Sequence, residues 1–197
     1  MESRLPATVV SSILLLLSAK SGAVTFEVTN AAVPNTTGGE RFNKDIGLDY
    51  AKALSDVSIL IWNTFNQRNP TDRNPVDTVT LIVEDEDNGM VAFTSGSTIH
   101  LSAQYVGDYS DDVKTEVTGL LFHETTHVWQ WDGQGQANPA LVEGIADFIR
   151  LKAGWYAVEG GSRDRIRGMK VTARFLLTQN SDVSHRAPRV QNTDQRS

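Results

Sequence analysis

Residues 111–131 read DDVKTEVTGLLFHETTHVWQW, and the fold and the chemistry both turn on that stretch. The spacing predicts a helix over the whole run, with Ser110 as its N-cap. Val113, Val117, Leu120, Leu121 and Val128 recur at helical intervals and make one apolar stripe. At about 100° per residue, Glu124 falls inside that stripe, and His123 and His127 lie on its edge. A carboxylate turned toward a core is costly unless it is paired or set beside a cation. No Lys or Arg follows Lys114 on this helix to serve as the partner. A cleft accounts for the pattern better than a solvated face does.

His123-Glu124-Thr125-Thr126-His127 has the form H-E-x-x-H. Residues four apart on a helix share a face, one turn above the other. Two imidazoles at that spacing can grip one Zn²⁺ ion, and the adjacent Glu124 can take a proton from the attacking water. This is the pattern of a zinc metallopeptidase. A motif this short also arises by accident, in on the order of one per cent of chains this long. The ordinary alternative is a buried helix whose imidazoles satisfy backbone carbonyls and whose Glu pairs with a cation.

A site with two His ligands needs a third protein ligand. Downstream, Asn138 is a good N-cap and Pro139 suits the first helical position, so a second helix starts there. Glu143 and Asp147 share one face of it, and Leu141, Ile145 and Phe148 share the opposite face. Gly144 and Ala146 are small enough to let it pack close to the first helix. Taken alone, this reads as an amphipathic helix with both carboxylates in water or paired with Arg150. Gly133 stands where a metzincin would carry its third His, and Asp132 falls where the first helix should end. The order of H-E-x-x-H, a Gly-rich turn and E-x-x-x-D resembles the thermolysin-like zincins. That resemblance implies that Glu143 is the third ligand and that Asp147 orients a ligand imidazole. Asp147 as the third ligand is the alternative.

Longer stretches carry a second resemblance: HETTHVWQW at 123–131, LVEGIADFIRLKAG at 141–154, VTFEVTN at 24–30, GGERF at 38–42, IHLSA at 99–103 and VTARFL at 171–176. They resemble the plant basic secretory proteins, a family of zincin-like peptidases. The resemblance implies an α/β (α+β) zincin-like fold, with a small mixed sheet packed on an active-site helix and further helices. It implies a secreted zinc metalloendopeptidase of gluzincin type, acting on polypeptides in plant defence or stress response. His123, His127 and Glu143 would hold one zinc ion, with Glu124 as the general base. In zincins an edge strand beside the active-site helix binds substrate backbone, and residues 97–101 are expected to take that role. Tyr156 is a candidate oxyanion donor. The chain departs from the family at Ile166 and Met169, where a Trp and a Tyr are usual, and beyond residue 180, where the family continues with more aromatic and helical sequence. Those departures keep open a second expectation: a secreted, non-catalytic defence or binding protein on the same scaffold.

The remaining sequence sets the context. A chain of 197 residues has room for one domain with a real core. The apolar run at 5–19 behind Arg4, followed by Ser21 and Ala23, reads as a secretory signal peptide over 1–23. An uncleaved signal anchor is the alternative. A peptidase domain over 24–179 and a disordered tail over 180–197 complete the organisation. The mature chain is expected outside the cell, in the apoplast or cell wall, with no stable membrane association and as a monomer. Asn35-Thr36-Thr37 is an N-glycosylation acceptor if the chain is secreted. The absence of Cys excludes a disulfide scaffold and thiolate ligands. Losing residues 1–23 removes Arg4, Lys20 and Glu2 and moves the formal charge from −6 to −7. An acidic chain disfavours nucleic acid and anionic lipid as partners, and it contrasts with the family's "basic" label. Strands are expected at 24–29, 78–83, 90–93 and 98–101, and a helix at 45–65. The acidic turn 84–89 lacks EF-hand spacing and reads as solvated surface, and His100 reads as a strand side chain.

Overall fold

The computed structural model describes residues 19–21, 24–86 and 89–155. In chain order these form β1 (Ala19–Ser21), β2 (Val24–Asn30), α1 (Thr37–Arg41), α2 (Tyr50–Thr64), β3 (Thr78–Glu84), β4 (Ala92–Ser95), β5 (Thr98–Ser102), α3 (Ala103–Asp108), α4 (Val113–Trp129) and α5 (Pro139–Lys152). A π-helical turn over Phe42–Ile46 extends α1, and a 3₁₀ turn covers Pro70–Asp72. The fold is mixed α/β, as expected. The leader over 1–23 apart from β1, Tyr156, a last helix at 171–177 and the tail at 180–197 all lie outside the described residues.

The sheet follows from alternation. Val24, Phe26 and Val28 of β2, Val79, Leu81 and Val83 of β3, and Ile99 and Leu101 of β5 are buried, while their neighbours are not. With a period of two, one face goes to the core and the other to Thr, Glu and His side chains. The strand order is β1-β2-β3-β5-β4. β2, β3 and β5 run parallel, and β1 and β4 add antiparallel edges. β1 falls in the segment read as a leader; without it the sheet is the four strands β2 to β5. On the core face lie Leu54, Val57 and Ile61 of α2 and Val117, Leu121 and Val128 of α4. Trp129 packs edge-on to Trp62 at 5.0 Å and donates its indole N–H to Ser58 Oγ at 2.9 Å.

Several expectations are corrected. The helix expected over 45–65 is broken, because Gly47 adopts φ 91° and ends the π turn before α2 begins. Asp112, not Ser110, caps α4, its carboxylate accepting the amides of Lys114 and Thr115. The strand expected at 90–93 starts two residues later. Residues 97–101 do not form an edge: β5 is paired on both sides, and β4 is the edge strand. Leu141 is 44% exposed, while Gly144, Ala146, Asp147 and Phe148 are buried on α5. Arg150 pairs with neither Glu143 nor Asp147 but with buried Glu116 on α4, at 3.3 Å. The short helices α1 and α3 carry too little periodicity to be anticipated. They cross where Gly38 meets the backbone of Ala103 and Gly107, so closely that a Cβ on Gly38 would lie 1.7 Å from the Ala103 carbonyl oxygen. Arg41 next door donates to the carbonyls of Val106, Gly107 and Asp111, which fixes the approach to α4.

Candidate metal centre and cleft

α4 serves two surfaces. One side closes the core, and its second half forms the floor of an open cleft. Thr94 of β4 stands on one wall and Glu143 of α5 on the other, with Trp131 and Pro139 further along. Glu124 is 6% exposed, so the carboxylate that the apolar stripe places inward is indeed buried. It is reached by Thr94, whose Oγ1 lies 2.8 Å from Glu124 Oε2 and 3.0 Å from its carbonyl.

α5 packs on α4, with Arg150 of α5 lying against Gly119 of α4. That packing brings Asp147 Oδ1 to 3.0 Å from His123 Nδ1. One turn earlier on α5, Glu143 reaches both imidazoles, at 3.2 Å from His123 Nε2 and 3.7 Å from His127 Nε2. The two Nε2 atoms are 3.2 Å apart. His123, His127 and Glu143 thus present three donor atoms within 4.8 Å of one another, a group that can hold a metal ion. Asp147 faces the far nitrogen of His123 instead of this cluster. Of the two carboxylates, Glu143 belongs to the group that could hold a metal ion and Asp147 does not.

The charges are unevenly distributed. Burial acts to lower the His123 pKa, but the adjacent carboxylates of Asp147 and Glu143 outweigh it and raise the pKa to about 9. His127 has no carboxylate so close; burial, then the neighbouring His123, lower it to about 4. Burial raises the pKa of Glu124, opposed by His123 and by the Thr94 hydrogen bond.

Two side chains at this site were not anticipated. Thr94 arrives from a strand 30 residues away in sequence, and nothing local marks it. Gln130 lies three residues past His127, and its side-chain amide is 2.6 Å from His127 Nδ1. The i,i+3 spacing could have pointed to it. His100 is a strand side chain, as expected: it pairs with Glu84 and stacks on Phe93 at 4.4 Å. Asp85 and Glu86 are exposed, and so is Asn35, in the turn before α1. No described helix is long and apolar enough to cross a membrane.

A family model named BSP, described as a peptidase of plants and bacteria, matches residues 21–186. No curated protein and no solved structure matches the chain.

Proposed function

The chain belongs to the BSP family of peptidases of plants and bacteria, and we propose that it is a secreted, zincin-like, zinc-dependent endopeptidase centred on His123, His127 and Glu143. The observation that carries this reading is the convergence of those three donors on the floor of a cleft, with Glu124 beside them. Their separations suit zinc. Tetrahedral ligands at about 2.1 Å from the ion stand about 3.4 Å apart; here the two Nε2 atoms are 3.2 Å apart, Glu143 Oε2 is 3.2 Å from His123 Nε2, and Glu143 Oε1 is 3.7 Å from His127 Nε2. Two imidazoles and a carboxylate also match zinc's preference for borderline nitrogen and oxygen donors. When a metal takes Nε2 of His123, Asp147 accepts the remaining ring proton at Nδ1 and fixes the orientation of the imidazole.

A bound zinc ion supplies Lewis acidity, polarising the scissile carbonyl and acidifying a water. Glu124 accepts the proton of the attacking water and then delivers it to the leaving amine. Burial favours this exchange by lifting its basicity above that of a solvated carboxylate. Thr94 holds the carboxylate in place through Oε2. β4, the edge strand on the cleft wall, can take an extended polypeptide by strand addition. The chain's acidic balance and the carboxylates of Asp77 and Asp132 on the cleft walls favour polypeptides with basic flanks. Secretion and a part in plant defence or stress response rest on the leader-like residues 1–23 and on the family resemblance; sequencing the mature N-terminus tests the first.

The decisive experiment is digestion of a peptide library by the purified protein, with and without chelator, beside Glu124→Gln. The variant is expected to keep its zinc and to lose about 10²- to 10⁴-fold in kcat/KM. Wild-type activity in that variant, or activity indifferent to chelator, would refute the mechanism. A wild type that binds zinc and cuts nothing would point to the non-catalytic reading.

A further inference from the structure

We infer that Gln130 is a positioning residue of the metal centre: its side-chain amide sets which nitrogen of His127 carries the ring proton, and so presents Nε2 to the metal with a free lone pair. This rests on the reading of His123, His127 and Glu143 as the metal centre.

α4 ends at Trp129, and Gln130 is extended (φ −76°, ψ 142°), while its backbone N–H still donates to the Thr126 carbonyl at 2.9 Å. The side chain therefore turns back along the helix, with its amide nitrogen Nε2 2.6 Å from Nδ1 of His127. It has little freedom to leave. Gln130 is 7% exposed, and Asn74 Nδ2 donates to the carbonyl of Val128 at 2.8 Å and to that of Gln130 at 3.4 Å.

The two ends of a side-chain amide are nearly the same size, so its orientation is decided by the groups that face it. At the end away from His127, Gln130 Oε1 is buried with no hydrogen-bond partner among the described residues. Exchanging the two ends of the amide therefore gives up no hydrogen bond on that side. With the NH₂ on Nδ1, as the side chain is placed, the ring proton sits on Nε2, directed at His123 Nε2 3.2 Å away, and His127 has no lone pair for a metal. With the amide oxygen facing Nδ1, the ring N–H donates to it and Nε2 is free. With the two ends of the amide exchanged, each imidazole has its own acceptor: Asp147 for His123 from α5, and Gln130 Oε1 for His127 from the end of α4.

The test is the Zn²⁺ affinity of the purified full chain, measured by competition with a chromophoric chelator, for wild type, Gln130→Met and Gln130→Glu. Met keeps the length and removes the acceptor; Glu keeps an acceptor. Gln130→Met is expected to weaken zinc binding by about 10- to 100-fold, with Gln130→Glu restoring it to near wild type. Multiple-bond ¹H–¹⁵N spectra of the zinc-loaded wild type should show the His127 proton on Nδ1, and this readout does not depend on any variant folding. A Met variant that binds as tightly as wild type overturns the inference. So does a Glu variant as weak as the Met one, because the loss would then be one of packing. A wild type that takes up no zinc defeats the metal-centre reading itself, and the role of Gln130 with it.

Discussion

At Glu124 opposing effects meet in one carboxylate. Burial disfavours its charge, while the His123 imidazole and the Thr94 hydroxyl favour it. Thr94→Val removes only the hydroxyl and nearly keeps the shape. A hydrogen bond to the charged form is then lost, so the Glu124 pKa rises further and less of the base is ionised at any acidic pH. The acid limb of the kcat/KM profile is therefore expected to move to higher pH in Thr94→Val. A pH–rate series on both proteins checks this, and an unmoved limb would show that Thr94 does not hold the base. His123, Glu124, His127, Glu143 and Asp147 were all legible because each lies on a helix whose period is written in its own sequence. Thr94 was not, because its partner lies across the fold; its strand neighbours say only that it alternates.

Between elements, the α4–α5 contact is the joint that places Glu143 and Asp147 against the two imidazoles, and a buried ion pair lies within it. Arg150 and Glu116 are 6% and 5% exposed, and Tyr105 adds a hydrogen bond to Glu116 at 3.2 Å. The guanidinium lies over Gly119, where an added Cβ would stand 2.9 Å from Nη2 and 3.0 Å from Nε. Removing one member of such a pair leaves a buried charge unpaired, so Arg150→Met is expected to cost about 3–5 kcal/mol. The double variant Glu116→Gln/Arg150→Met should be less destabilised than Arg150→Met alone. Gly119→Ala provides a test of sign. In an open helix it would gain about 1 kcal/mol, whereas here it displaces the guanidinium from Glu116 and is expected to destabilise. Urea denaturation of the three variants reads all of these differences. The presence of both long helices and the start of α5 at Pro139 followed from capping and periodicity. The partner of Arg150 did not, because Glu116 is 34 residues away and on another helix.

Across the whole molecule, the sheet order makes the cleft. β4 folds back on β5 through a turn in which Gly96 adopts φ 60°, and it occupies the edge beside α4. The alternation in residues 92–102 predicts strands but not their order, which depends on how β3 and β5 pair across the chain. Alternation alone therefore does not distinguish β5 from β4 as the edge. With β4 in place, the cleft carries Glu124 and Glu143 on the reacting side and Asp77 and Asp132 beyond them, and no Lys or Arg lines it among the described residues. The chain as a whole has a formal charge of −6, so its field reinforces these carboxylates. A concave wall of one sign concentrates ligands of the other sign and repels its own. Peptides with Lys or Arg flanking the scissile bond are therefore expected to show kcat/KM about tenfold above matched peptides with Glu flanks at low ionic strength. The gap should close as salt approaches 1 M, where the screening length falls to about 3 Å. Asp77→Asn/Asp132→Asn should narrow it at low salt while leaving hydrolysis of uncharged peptides unchanged. A preference that survives both the salt and the double substitution would come from shape, with Trp131 and Met90, the exposed apolar side chains of this cleft, as its source.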